Sequence, residues 1–216
     1  MFVFDEYKTT DLNLMHQIML ENSFATLVTH LKSALPDGPD ESYANHFPLT
    51  IRANEGDFGL LEGHMSASNP QWQALKKQGR ALVIFQGPHA YIPPAMGVGP
   101  RVVPTWNYVA VHAYGMVEMI DNASELIKML ARSVSQHEAH LQNPWKMALP
   151  KEFMDALVSK IVGFKIKIDR LEPQLKLNQD REKHQRESVY NHLQNSTREN
   201  ERAIAQWMAK YALPLP

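Results

Sequence analysis

The chain contains no cysteine, so disulfides, thiolate metal ligands and cysteine nucleophiles are all excluded. Charge of one sign is missing as well. With 22 Lys and Arg against 23 Asp and Glu, the formal charge is −1 and gives no global attraction to nucleic acid or an anionic membrane. No apolar run approaches the roughly 18 residues of a membrane-spanning helix. The N-terminal MFVFDEYKTTD turns acidic and polar almost at once, so a cytoplasmic location is expected. There is no G-x-S-x-G elbow, no P-loop and no G-x-G-x-x-G between a strand and a helix, which removes support for the corresponding hydrolases, nucleotidases and dinucleotide binders. What remains is an ordinary globular composition, 44% hydrophobic over 216 residues, enough for one domain with a modest appendage.

Helix and strand periods alternate irregularly along the chain. Thr9 or Thr10 is placed to cap a helix with Leu12, Met15, Ile18 and Met19 on one face. FATLVTH (24–30) reads as a strand followed by a Pro- and Gly-rich loop. YANHFPLTIR and FGLLEGHM read as two strands around a turn at 54–57, with Pro48 demoting the first to an edge. Asn69, Pro70 and Gly79 bracket a short helix. ALVIF (81–85) is apolar throughout and is expected to be buried on both faces. Residues 87–104 hold five prolines and three glycines and are expected to form a lid-like loop. A long strand spans 105–120, and Asn122 with Glu125 opens a helix. Pro150 opens another, with Phe153, Met154, Leu157 and Ile161 facing inward. GFKIKID is a strand ending near Asp169, and two polar helices follow, divided around 195–197. Antiparallel strands with helices inserted between them give an α+β, mainly β class: a barrel with peripheral helices and a helical C-terminal extension.

Two stretches carry candidate chemistry. In GHMSASNPQW (63–72) a strand runs into a helix N-terminus, where unpaired backbone N–H groups and the helix dipole favour a phosphate; Ser66, Ser68 and Asn69 add side-chain donors, and His64 adds a ring nitrogen. The same residues also serve as ordinary helix caps. In VVPTWNYVAVHAYG (102–115), Trp106, Tyr108, His112 and Tyr114 share one strand face while Thr105 and Asn107 face the other way. A flat heteroaromatic ligand suits such a wall, with Thr105, Trp106 and Asn107 as donors; an aromatic barrel or subunit interface suits it equally. His137 and His140 in HEAH stand three apart and lack a third ligand, so no metal site is expected. Among His46, His64, His89 and His112, the last is the first choice for a proton donor because it shares a strand with the aromatics.

Taken together, ANHFPL (44–49), GHMSASNPQW, VIFQGPHAYIPP (83–94), VVPTWNYVAVHAYG, IVGFKIKIDRLE (161–172) and KLNQDR (176–181) resemble the PaiB family of FMN-binding negative transcriptional regulators. The motifs occur in family order over roughly residues 1–190. The resemblance implies a split β-barrel related to pyridoxamine-phosphate oxidases, a homodimer, and FMN as cofactor. It also implies a barrel domain over 1–175, with a helical extension over 176–216 packing on the barrel or the partner subunit. By position, Ser66, Ser68 and Asn69 fall where that superfamily binds flavin phosphate, although its usual Arg and Lys are missing; Lys176 and Arg181 are the cations that KLNQDR supplies. DNA is the partner the family label implies, yet residues 181–216 carry six Lys or Arg against four Glu, a thin basic surface for a direct repressor. The alternatives are a flavin-dependent oxidoreductase acting on a small molecule, or haem binding on the same scaffold through one histidine.

Overall fold

The structure is a computed structural model that describes residues 1–31, 40–99 and 102–213; most of the loop expected behind the 24–30 strand, and residues 100 and 101 of the expected lid, lie outside the described residues. The elements run α1 (Leu12–Glu21), β1 (Phe24–Leu31), β2 (Glu41–Pro48), β3 (Thr50–Arg52), β4 (Leu60–Ser66), α2 (Gln71–Gln78) and β5 (Arg80–Ile92). They continue with β6 (Thr105–Ile120), α3 (Ala123–Glu138), α4 (Lys151–Val158), β7 (Ile161–Lys176), α5 (Lys183–Gln194) and α6 (Glu199–Tyr211). The chain forms two compact units. One comprises Met1–Ile18, Gln86–Val111 and the residues from Glu172 onward; the other comprises Met19–Phe85 and His112–Leu171.

Strand order explains the barrel. The seven strands hydrogen-bond in the order β2-β1-β5-β6-β7-β4-β3, so β2 and β3 stand at opposite edges. Only Leu49 separates them in sequence. An open flat sheet cannot have two edges joined by one residue, so within the second unit the sheet curls until its edges meet. Leu49 is fully buried at that junction, and its N–H donates to Ser23 O at 2.9 Å. Pro48 thus ends the first edge strand, as its missing N–H requires.

In the second unit, β4 shows why the alternation matters. Leu61, Gly63 and Met65 face the core opposite Ile166, Phe164 and Val162 of β7, whereas Glu62, His64 and Ser66 form an outer row opposite Lys165, Gly163 and Ile161. The α3–α4 insert covers part of the outer side, with Leu126, Met129, Met154 and Val158 packing against Ile120 of β6. Glu62, fully buried, accepts two bonds from Arg132 of α3 at 2.7 and 2.8 Å, with Arg52 a further 3.5 Å contact. In the first unit, α5 and α6 pack together over Val189, Leu193, Ile204 and Met208.

Several local expectations change. Asp11, not Thr9 or Thr10, caps α1: its Oδ1 accepts from Asn13 N and Leu14 N at 2.9 and 3.2 Å, because only the residue directly before the helix reaches those amides. The 81–85 run alternates in burial instead of being enclosed on both faces, and its strand continues through Pro88 to Ile92, so the expected lid begins only after a 3-10 turn at Pro94–Met96. On the β1 side Pro88 costs no ladder bond, because the pairing of β5 with β1 covers Leu82 to Ile84. Strand β7 runs on past Asp169 to Lys176. Phe153 and Leu157 are exposed, leaving Met154 and Val158 as the inward face of α4. The caps at Asn122 and Gly79 are as expected: Asn122 Oδ1 accepts from Ser124 N and Glu125 N, and Gly79 ends α2 at φ 68°.

Candidate functional site

The sequence-predicted ligand residues fall into two groups, one in each unit. His64, Ser66, Ser68 and Asn69 belong to the second unit, at the end of β4 and the turn into α2. Thr105, Trp106, Asn107 and Lys176 belong to the first, at the start of β6 and the end of β7.

At the β4–α2 turn, Ala67 N donates to Lys160 O at 2.8 Å and Asn69 N to Ser66 O at 2.9 Å, so the turn is pinned to the residue before β7. The Ser66 and Ser68 hydroxyls lie 2.7 Å apart and both are exposed. One proton is spent between them, which leaves the other hydroxyl proton to point outward. Asn69 Oδ1 accepts from Gln71 N at 3.0 Å and thereby caps α2, while its Nδ2 has no bond within this turn. Fewer backbone donors face outward than the sequence implies, because Pro70 has none and Gln71 N is taken. His64 is half-buried one step up the outer row, and burial pushes its imidazole below the usual range, so the ring is neutral at pH 7.

Beside this turn opens a cavity of about 400 Å³, within the roughly 300–1,000 Å³ span of small-ligand sites. Two of its walls belong to the turn's surroundings. Ile161 is the strand partner of Ser66, and Trp72 fixes its indole by donating to Ala67 O at 3.0 Å. Gly163, the partner of His64, backs onto Ile120 and Leu126, which line the same space; a Cβ there would stand 2.6 Å from Leu126. Lys76, Asp121, Asn122 and Ser159 supply the polar lining. Trp72 and Lys76 were not foreseen, though their i, i+4 spacing on α2 is the signal that would have found them.

The first unit uses the same residue types differently. Lys176 Nζ donates to Thr105 Oγ1 at 2.6 Å and lies 6.0 Å from the Tyr7 ring centroid. Burial first, then the Asp180 carboxylate that accepts from its hydroxyl, push the Tyr7 phenol up to about 12. Asn107 is fully buried and its Nδ2 reaches Met208 Sδ at 3.8 Å. The KLNQDR segment forms a turn in which Asn178 adopts φ 65°, Gln179 Oε1 accepts from Leu177 N, and Arg181 pairs with Asp180. Trp106 alone of this group is a surface, 52% exposed and tilted against His89 and Tyr91 at 6.2 and 5.6 Å. His112 is half-buried on the part of β6 that belongs to the second unit.

Compared with known proteins, residues 1–170 match the family described as "Putative FMN-binding domain". "Protease synthase and sporulation protein PAI 2" of Bacillus subtilis (strain 168) is 34% identical over 210 residues, 96% of each chain. The conserved hypothetical protein Rv2991 of Mycobacterium tuberculosis superposes with a TM-score of 0.53 at 13% identity, covering 82% of this chain and 91% of that one. The FAD and heme binding protein of Mycobacterium smegmatis superposes with a TM-score of 0.50 at 15% identity, covering 80% and 74%. At such identities these likenesses concern the fold, which is the split β-barrel.

Proposed function

The chain belongs to this family of FMN-binding domains, and on that premise we propose that FMN is held with its phosphate at the row His64, Ser66, Ser68 and Asn69. The observation that carries this reading is the exposed hydroxyl pair of Ser66 and Ser68, in a turn whose neighbours Ile161, the strand partner of Ser66, and Trp72, bonded to Ala67 O, line the 400 Å³ cavity. The residues fit the group: hydroxyl and carboxamide donors for phosphate oxygens, and a fixed indole beside a mixed apolar and polar space for the rest of the ligand. Once bound, FMN supplies hydride or single-electron transfer at its ring. The protein's own residues bind and orient it. Trp106, with its exposed ring, is the remaining first-unit candidate for a flat ligand, whereas Thr105 and Lys176 satisfy each other and Asn107 is enclosed.

The proposed role is that of a flavin-binding module of the PAI 2 kind, in which any regulation of transcription is indirect. Cations of the C-terminal helices support this, because they are largely engaged. Arg181 pairs with Asp180, Lys183 with Glu187 and Arg198 with Glu201, while Arg186 is buried and donates to Ala212 O at 2.7 Å. Binding to random DNA should therefore weaken only shallowly with salt. The chain is further proposed to be a cytoplasmic homodimer, with an interface upwards of about 1,500 Å² if obligate; light scattering checks it. The test of the main reading is titration of the purified protein with FMN, read by its visible spectrum. Uptake of one FMN per chain supports it, a haem spectrum in place of flavin counts for the haem alternative, and nanomolar, sequence-selective DNA binding at physiological salt overturns the indirect role.

A further inference from the structure

We infer that Lys76 is the cation that balances the flavin phosphate and makes the protein select FMN over its unphosphorylated form, riboflavin; this rests on the phosphate row proposed above. A phosphate monoester carries about −1.5 to −2 at pH 7. The proposed row holds no permanent positive charge: Ser66, Ser68 and Asn69 are neutral, and burial lowers the His64 imidazole below its ordinary range. A charge of that size needs a cation within reach.

Four basic side chains of the surrounding elements are spent. Arg132 holds Glu62 and Glu125, Lys165 holds Glu125 at 3.1 Å, Arg52 holds Glu55 and Glu62, and Arg80 grips Asp169 with two bonds of 2.7 Å. Lys76, Lys77 and Lys160 are exposed and stand outside those ion pairs, and of the three Lys76 alone lines the cavity bounded by Ile161, the strand partner of Ser66, and by Trp72, which is bonded to Ala67 O. The place of Lys76 on α2 adds direction. Standing four residues after Trp72, it lies on the same helix face, and helical side chains lean toward the N-terminus, which carries the Lys76 stem back over Trp72 toward the turn. Lys77 belongs to another face of α2 and does not line the cavity. Asp121, also in the lining, supplies the opposing charge and tempers the site's affinity for an anion.

The experiment measures the affinity of the full chain for FMN and for riboflavin by quenching of flavin fluorescence, with thermal melts to check folding. Wild type should prefer FMN. Lys76→Gln should weaken FMN about tenfold, as loss of a charge-assisted contact does, and leave riboflavin unchanged. Lys76→Arg should keep most of the preference, and Asp121→Asn should tighten FMN alone. Lys77→Gln should change neither ligand. If Lys76→Gln leaves the FMN-to-riboflavin ratio intact while Ser66 variants alter it, Lys76 has no such role and the phosphate row stands. Equal losses from Lys76→Gln and Lys77→Gln also overturn the inference, because general surface charge would then explain the effect. A wild-type protein that binds both flavins equally refutes the phosphate row itself, and the inference with it.

Discussion

The β4–α2 turn and the start of β6 contain the same kinds of residue, small hydroxyls, an Asn and a nearby aromatic, yet their hydrogen-bonding capacity is disposed of differently. At the turn, Ser66 and Ser68 face solvent and bond chiefly to each other, and Asn69 spends its oxygen on the helix while keeping its amide nitrogen. At β6, Thr105 receives Lys176 and Asn107 is fully enclosed against Met208. A polar residue in a motif becomes ligand-binding only where its donors remain unspent at an accessible surface. The comparison therefore separates the proposed site from a brace within one set of motif residues.

The strongest way to break it is Ser66→Asp. A carboxylate placed against a phosphate at close range costs a few kcal/mol even when partly screened, so FMN affinity in calorimetric titration should fall by two orders of magnitude or more (~10²) with the melting temperature little changed. Unaltered affinity would mean that the turn is only a helix cap. Next in size is Asn107→Asp, which puts a charge where no solvent reaches. It should lower unfolding free energy by about 3 kcal/mol or more in urea, while the folded fraction binds FMN as before; a selective loss of FMN would move Asn107 from brace to site.

Lys176→Met removes the ammonium that Thr105 accepts. A stability loss of about 1–2 kcal/mol is expected, the scale of a hydrogen bond to a charged group, with FMN affinity within about twofold of wild type. A larger fall in affinity would show that Lys176 reaches the ligand. The smallest effect concerns His64, whose folded imidazole is harder to protonate than the unfolded one because of burial. The unfolded chain thus binds more protons as pH falls below about 6.5, and stability should decline through that window and level off once the folded ring also protonates. His64→Gln should flatten that slope. Bound phosphate favours the charged ring, so FMN binding at pH 6 should take up protons in wild type and fewer in His64→Gln, as buffers of different ionisation enthalpy would report.

Much of the fold was legible because periodicity and capping are local. The long strand 105–120, the helix stop at Gly79, the Asn122 cap and the break between α5 and α6 all lie where residue order puts them. Local reading failed where a neighbour decided. Residues 87–92 contain Gly87 and Pro88 and read as loop, but β5 needs no partner on the β1 side there and continues as strand. Phe153 and Leu157 satisfy helical periodicity, yet α4 is too narrowly covered to bury them. In KLNQDR the contacts of Lys176 with Thr105 and of Arg181 with Asp180 around the turn at Asn178 were not legible in the sequence.

By itself the sequence determined the family, the antiparallel strands and the helix ends at Gly79 and Asn122, and pointed to the stretch from His64 to Asn69 as the place to look, since these depend on residues close together along the chain. Closure of the sheet through Leu49, the cavity bringing Trp72 and Lys76 beside the turn, and the division of motif residues into spent and unspent donors were decided only by tertiary structure. Whether a hydroxyl or an ammonium is free depends on what the fold brings within about 3 Å of it, and that distance is set by strand register and packing rather than by order in the chain.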